Sequence, residues 1–354
     1  MIKNPKYYLN LALSLAKKNL GQTGLNPSVG CVVVKNNAII SSGITSINGR
    51  PHSEFNALKN LKNCAGASLY TTLEPCTHYG KTPPCINIII KKKIKSVYYA
   101  FEDPDIRTFK KAKKILNKKG IKSKLIRSKN YSKFYKSYFI NKKLSIPLVA
   151  AKIAISKDFL TINKKGKWIT NQPSRNIVHL FRSKYDCILS TSKSINKDNS
   201  LLNCRINGLN NNKPDLFIID LQLKLKKKLS LNKYLKIRKT YLITSKNNSS
   251  KVLIYKKLGY KIILINSLEN KNDFNILFKK IYKFGYTRML IESGLTFLNI
   301  LLKNKVIHDL YIFKSNKNLG KNGKNNDTAK YLKKILPKLL TINLNGDNLL
   351  KKEF

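Results

Sequence analysis

Residues 52–85 carry the feature that most limits what this chain can fold into. His52-Ser53-Glu54 stands at an expected helix start. Twenty-two residues beyond Glu54 comes Cys76, after Pro75, and nine after Cys76 comes Cys85, after Pro83 and Pro84. One imidazole and two thiolates make three protein ligands, which leaves the fourth, open position that a catalytic zinc needs for water. The helix starts near His52 and Pro84 would point backbone N–H groups at the site, which favours a thiolate at Cys85. Glu54 sits at the same helix end as His52 and can approach that water without ligating the metal, as a proton carrier does.

His-x-Glu followed by Pro-Cys and a further Cys is the zinc-deaminase arrangement. The competing reading is a structural zinc knuckle closed by His78 as fourth ligand, but such a site has no use for a carboxylate beside its histidine. Cys31, Cys64, Cys187 and Cys204 show no metal spacing and read as small core or surface residues. Six cysteines are too few for a disulfide scaffold in a chain of this length.

The chain has 354 residues, enough for two domains, and 42% of them are hydrophobic, enough for two cores. Its formal charge is +53, from 70 Lys and Arg against 17 Asp and Glu. A polyanion-binding surface is the first thought. The lysines, however, are interleaved with Asn and Ile along the whole chain, which fits compositional drift better than one basic face. No apolar run approaches the ~20 residues of a membrane span. Leu9, Leu13 and Ala16 read as an amphipathic helix ending near Gly21, not as a signal peptide. A cytoplasmic protein is expected.

Residues 1–145 alternate strand and helix. The pattern predicts strands at 29–34, 38–44, 68–73, 97–100 and 121–126, with a hairpin turn at Asn36-Asn37. Helices are expected at 53–61, 84–92 and 109–118. Residues 131–143 read as a helix leading into a linker that Pro147 breaks. Residues 146–354 form a second α/β pattern. Its strands are predicted at 148–155, 187–191, 216–219, 240–244, 262–265, 288–291 and 310–313, and its helices near 172–183, 273–284 and 295–303.

Asn26-Pro-Ser-Val-Gly30, His52-Ser-Glu54, Thr72-Leu-Glu-Pro-Cys76, Thr82-Pro-Pro-Cys85 and Glu102-Asp-Pro104 together resemble the bifunctional deaminase/reductase family of riboflavin biosynthesis. The eight residues between the cysteines match that family; cytidine and tRNA deaminases usually have two. Ser53 replaces the family's usual Ala, a small change of little expected consequence. The resemblance implies a cytidine-deaminase-like α/β/α sandwich over residues 1–145, with Zn2+ on His52, Cys76 and Cys85. It implies a diaminopyrimidinone substrate carrying a ribosylamino 5′-phosphate, with Asn26 beside the metal and His78 and Lys81 on the pocket rim.

Lys167-Trp168-Ile-Thr170, Leu180-Phe-Arg182, Asp198 to Arg205 and Ile291-Glu292-Ser-Gly294 follow in the family order. They imply a dihydrofolate-reductase-like α/β domain over residues 146–354 that uses NADPH to reduce the opened ribose. On that resemblance Lys152 and Glu292 face the ribose. Arg182, Leu202 and Arg205 bind the substrate, the arginines through its phosphate. Trp168, Ser194, Asp198, Gly294, Leu295 and Thr296 hold NADPH. From the residues alone, Gly294 is only a strand-to-helix turn suited to a phosphate, and Asp198 only a helix cap. Three departures from the family pattern fit either a weakened reductase or one that tolerates drift: Phe159 and Leu160 where a glycine and a basic residue are usual, Leu221 for a serine, and Asn316 to Gly320 in place of Pro-Lys-Leu-Leu-Gly.

Two other readings remain at this level: a deaminase whose second domain has decayed, and a nucleic-acid cytidine or adenosine deaminase. The latter needs stacking aromatics and a channel for flanking nucleotides. A small phosphorylated pyrimidine is the expected partner, with neither nucleic acid nor membrane. The sequence leaves a homo-oligomer open.

Overall fold

The computed structural model describes residues 4–166, 168–209, 214–248, 250–336 and 339–354. They divide into two compact units, Met1–Ser145 and Ile146–Phe354.

The first unit runs α1 (Pro5–Lys18), β1 (Gly30–Lys35), β2 (Ala38–Ile44), α2 (Ser53–Leu58), β3 (Ser68–Thr71), α3 (Cys85–Lys91), β4 (Ser96–Tyr99), α4 (Lys111–Lys118), β5 (Lys122–Leu125), α5 (Lys129–Phe134) and α6 (Lys136–Leu144). Its sheet has the order β2-β1-β3-β4-β5, antiparallel across β1 and parallel from β3 to β5. Asn36 and Asn37 both take positive φ, 50° and 62°, as the expected two-residue hairpin turn requires. One face of the sheet is sealed by Leu58, Leu69, Ile89, Val97 and Leu116, and the other by Leu9 and Leu13 of α1 with Tyr70 and Tyr131. Helix α2 lies so close on the hairpin that a Cβ on Gly43 would meet Ser53 O at 2.2 Å. That contact seats the helix that begins just after His52.

Residues 131–143 are helical as expected, but as two helices, and they pack into the first unit. Tyr131, Tyr135 and Tyr138 are buried on α5 and α6. The Tyr135 hydroxyl bonds Thr72 Oγ1 at 2.6 Å and donates to Ser28 O at 3.2 Å, and Tyr138 donates to Asp103 Oδ1 at 3.0 Å. Lys129, Lys133 and Lys136, interspersed among the tyrosines, hide this packing in the sequence. Aromatic rings bury large areas and place a polar tip, and here each tip finds a partner.

The second unit runs β6 (Leu148–Ile155), β7 (Ile162–Asn163), α7 (Gln172–Ser183), β8 (Cys187–Thr191), α8 (Ser192–Asp198), β9 (Asp215–Ile219), β10 (Thr240–Ser245), α9 (Leu253–Leu258), β11 (Lys261–Ile265), α10 (Lys271–Lys283), β12 (Arg288–Glu292), α11 (Leu295–Lys303), β13 (Asp309–Lys314), β14 (Gly323–Lys324), α12 (Lys330–Ile335), β15 (Thr341–Leu344) and β16 (Asp347–Glu353). Nine strands form one sheet in the order β11-β10-β9-β8-β12-β6-β13-β16-β15, and β7 pairs with β14 separately. The pairs from β11 to β13 are parallel; β16 and β15 add antiparallel strands at one edge. That edge hairpin was missed because its strands alternate weakly and carry many lysines and asparagines. Asn171 caps α7 by accepting Ser174 N–H at 2.9 Å, worth about 1 kcal/mol.

Phe159 adopts φ +66°, the left-handed backbone that glycine takes most readily. The loop keeps that conformation although its glycine is lost. Asn325 Nδ2 donates to Phe159 O at 2.9 Å, and the Asp158 carboxylate accepts Leu319 N–H at 3.1 Å and Gly320 N–H at 2.8 Å. Leu221 follows the buried Asp220, whose carboxylate accepts the Lys224 and Leu225 N–H groups at 2.9 and 2.7 Å and so shapes the turn.

Candidate active sites

His52 is the residue before α2, Cys76 lies in the segment after β3, and Cys85 is the first residue of α3. The sheet brings these three points together. One ligand atom each from His52, Cys76 and Cys85 lies within 4.8 Å of the others. His52 Nδ1 is 3.6 Å from Cys76 Sγ and 3.4 Å from Cys85 Sγ. Two soft sulfurs and an imidazole are a zinc donor set, so the residues fit that ion. His78 is not in this cluster; its Nδ1 bonds Thr108 Oγ1 at 3.0 Å instead. The closed-knuckle reading therefore loses its fourth ligand.

The N–H at the start of α3 corrects one expectation. It points at Cys76 Sγ, 3.1 Å away, and not at Cys85. Hydrogen bonds from the Cys85 thiol and from His52 bring the Cys76 thiol down to about 4. Cys85, bonded to that thiolate and buried near Glu54, is pushed up. Glu54 is 4% exposed, and burial raises its carboxyl above the usual range. Its Oε2 lies 3.6 Å from Cys85 Sγ, beside the cluster without belonging to it. Ser53 also matters more than expected, since its hydroxyl donates to Glu54 Oε2 at 2.9 Å.

Asn26 donates to Gly49 O at 2.9 Å, which ties it to the segment leading into His52. A side chain at Gly49 is excluded: its φ is +87°, and a Cβ would sit 2.8 Å from the Asn26 amide nitrogen. Lys81 is exposed on the loop between the cysteines. Sequence reasoning missed Glu74. Its buried carboxylate accepts the N–H groups of Asp103 (3.2 Å), Lys110 (3.1 Å) and Ala112 (3.0 Å), fixing the start of α4. Its place beside Pro75-Cys76 was a signal, but its partners lie far along the chain.

In the second unit Lys152 and Glu292 are direct partners on the neighbouring parallel strands β6 and β12. Lys152 Nζ is 3.9 Å from Glu292 Oε2. Arg182, on α7, meets the same carboxylate with its fork, Nε to Oε1 at 2.6 Å and Nη2 to Oε2 at 2.9 Å. Burial alone would raise the Glu292 carboxyl, but Arg182 and Lys152 outweigh it and hold it low. Burial also lowers Lys152. The fork of Arg182, expected at a phosphate, is thus spent on Glu292, and its Nη1 donates to Asn203 O at 3.0 Å.

Arg205 lies nearby with more exposure. It is oriented by Asn203 Oδ1 and His179 Nε2, both at 3.3 Å. Burial and the two arginines bring His179 down to about 4, so the ring is neutral and can accept from Arg205. Leu202 is buried with φ +48°.

Gly294 precedes α11, with Leu295 and Thr296 in its first turn, at the C-terminal end of β12. A helix start beyond the carboxyl end of a parallel strand is where α/β sheets take phosphates. Ser194 stands in the first turn of α8, its N–H capped by Thr191 Oγ1 at 3.3 Å. Asp198 is the last residue of that helix and exposed, so it caps no helix start. Trp168 is 53% exposed, with the Arg175 guanidinium 5.0 Å from its ring centroid; it is not a core tryptophan. Lys167 lies outside the described residues. Gly294 thus stands at a helix start and Trp168 presents an exposed ring.

Comparison with known proteins covers both units. Residues 2–101 match the cytidine and deoxycytidylate deaminase zinc-binding region, and residues 147–338 match the RibD C-terminal domain. The riboflavin biosynthesis protein RibD of Buchnera aphidicola subsp. Baizongia pistaciae is 34% identical, over 89% of this chain and 87% of that protein. RibD of Aquifex aeolicus is 31% identical, over 89% and 88%. The solved diaminohydroxyphosphoribosylaminopyrimidine deaminase/5-amino-6-(5-phosphoribosylamino)uracil reductase of Thermotoga maritima superposes with a TM-score of 0.84, over 99% of this chain and 98% of that one, at 26% identity. With a zinc donor set in one unit and a reductase fold in the other, the chain belongs to the RibD family of bifunctional deaminase/reductases of riboflavin biosynthesis.

Proposed function

We propose that residues 1–145 remove the exocyclic amine of 2,5-diamino-6-ribosylamino-4(3H)-pyrimidinone 5′-phosphate and that residues 146–354 reduce the ribosyl chain of the product. The observation that carries the first assignment is the His52, Cys76 and Cys85 cluster with Glu54 beside it but outside the donor set. When bound, zinc supplies the Lewis acidity that makes water a nucleophile near neutral pH. Glu54 takes the proton of the attacking water and returns it to the departing ammonia. Burial raises its carboxyl above the usual range, which helps it hold that proton between the two transfers. Asn26 orients the ring, and His78 and Lys81 face the rest of the substrate.

In the second unit NADPH supplies a hydride when bound, on the surface made by Trp168, Ser194, Asp198, Gly294, Leu295 and Thr296. Reduction of the opened ribose needs one proton with that hydride. Lys152 is the acid in place, and Glu292 binds the sugar hydroxyls while Arg182 holds it. Arg205 faces the phosphate, with Leu202 beside it. The left-handed backbone at Phe159 supports a working loop over a decayed one. Among the described residues no helix is long and apolar enough to cross a membrane; we place the enzyme in the cytoplasm with its phosphorylated reactants. Supplying the diaminopyrimidinone phosphate with and without NADPH, and following ammonia and NADPH oxidation separately, tests the two units independently. Ammonia without NADPH oxidation would leave a deaminase alone.

A further inference from the structure

Arg238 belongs to no motif, yet it is 5% exposed. Its Nη1 donates to Leu202 O at 2.8 Å and Pro214 O at 3.2 Å, and its Nη2 to Leu201 O. Its Nε has no partner. Among the described residues no carboxylate bonds it. Asp215, whose charge reaches it, is taken by Lys239 N–H at 2.8 Å and the Tyr286 hydroxyl at 2.6 Å. A buried cation held only by carbonyls is costly to keep, so what those carbonyls do matters.

Two of them, those of Leu201 and Leu202, belong to the segment that carries Leu202 in its left-handed conformation, φ +48°, a backbone that a branched side chain adopts only at a cost. The next residue is Asn203. Its carbonyl lies 3.0 Å from both Arg182 Nη1 and His179 Nδ1, and its side chain accepts Arg205 Nη1 at 3.3 Å. The contacts run unbroken from Arg238 through residues 201–203 to Arg182, His179 and Arg205.

We propose that Arg238 is a positioning residue for the reductase step: its fork sets residues 201–203 so that Asn203 and His179 aim Arg205 at the substrate phosphate. The inference rests on the assignment of Arg205 to that phosphate. It is tested in the full chain with NADPH and the deaminated substrate, with and without its phosphate. Arg238→Met should raise KM for the phosphorylated substrate about ten-fold, the size of one charge-assisted contact. KM for NADPH, ammonia release by the first unit, and kcat/KM for the dephosphorylated substrate should stay within about two-fold. Arg238→Lys keeps the charge but bonds fewer carbonyls, and should fall between; it decides by the same ratio if the Met variant does not fold. Arg205→Met is run beside them. Should it leave KM unchanged, the phosphate assignment is wrong and the proposal falls with it. Should it raise KM while Arg238→Met does not, or should Arg238→Met weaken both substrates equally, Arg238 only supports the fold and the proposal alone is overturned.

Discussion

The two sites are built in opposite ways. The zinc site draws its ligands and its carboxylate from residues 52–85, on two helix starts and the segment after one strand. The Lys152, Arg182 and Glu292 cluster spans more than a hundred residues of chain and exists because β6 and β12 pair in a particular register. The first site takes its groups from short segments close in the chain, at two helix starts and after one strand. The second depends on a sheet, so its charged groups must hold one another in a buried setting where an unpaired ion is expensive.

The largest effect that separates the two is expected from Glu54→Gln. Loss of the proton carrier should slow ammonia release by about 10²–10⁴-fold. Zinc content by elemental analysis and NADPH oxidation on the deaminated substrate should be unchanged. Normal ammonia release would remove Glu54 from its role.

Glu292→Gln strikes the other unit. It leaves Arg182 buried without its counter-charge, and the second unit should lose roughly 3–5 kcal/mol. Trp168, the single tryptophan, lies in that unit, so urea unfolding followed by its fluorescence reads the loss directly. Ammonia release should persist. A stable, fully active Glu292→Gln reductase would contradict the buried cluster.

A third test concerns pH in the first unit. Burial raises Asp103 from its ordinary 3.8 to about 6. The folded state then holds a proton that the unfolded state has released, so this group's contribution to stability falls as pH climbs from about 4 to 6. The loss is at most ~3 kcal/mol. Asn at this position still accepts from Tyr138 and Asp105. Asp103→Asn should therefore flatten that slope in calorimetric scans, and an unchanged slope would place the titration elsewhere.

The smallest effect is expected at His179. His179→Phe removes one acceptor from Arg205 and should raise KM for the phosphorylated substrate several-fold, about 1 kcal/mol. Because His179 lies near 4, the wild-type KM should not change between pH 5 and 8 through this group. The substrate phosphate itself titrates in that range, so only a step in KM that His179→Phe abolishes would show a charged ring.

Much of the fold was legible. Helix α7 and strands β2, β6 and β8 begin and end where their apolar spacing and caps put them, because those signals are local. Residues 129–144 were not legible as part of the first core. Tyr131, Tyr135 and Tyr138 look like surface aromatics until Thr72, Ser28 and Asp103 are seen beneath them. The β15–β16 edge was lost in a Lys- and Asn-rich stretch, since an edge strand needs little apolar alternation. At the sites, Ser53 looked neutral and Glu74 and His179 went unread, because each acts through a partner that spacing does not name.

The sequence by itself determined the zinc donor set, its adjacent carboxylate and the two-unit α/β plan, since ligand chemistry and periodicity are written in consecutive residues. Only the tertiary structure decided which sulfur receives the α3 N–H, that Arg182 answers Glu292, and that a buried Arg238 grips the segment before Asn203. Those outcomes depend on strand register and on which charges share a dry interior, and neither is carried by any single stretch of chain.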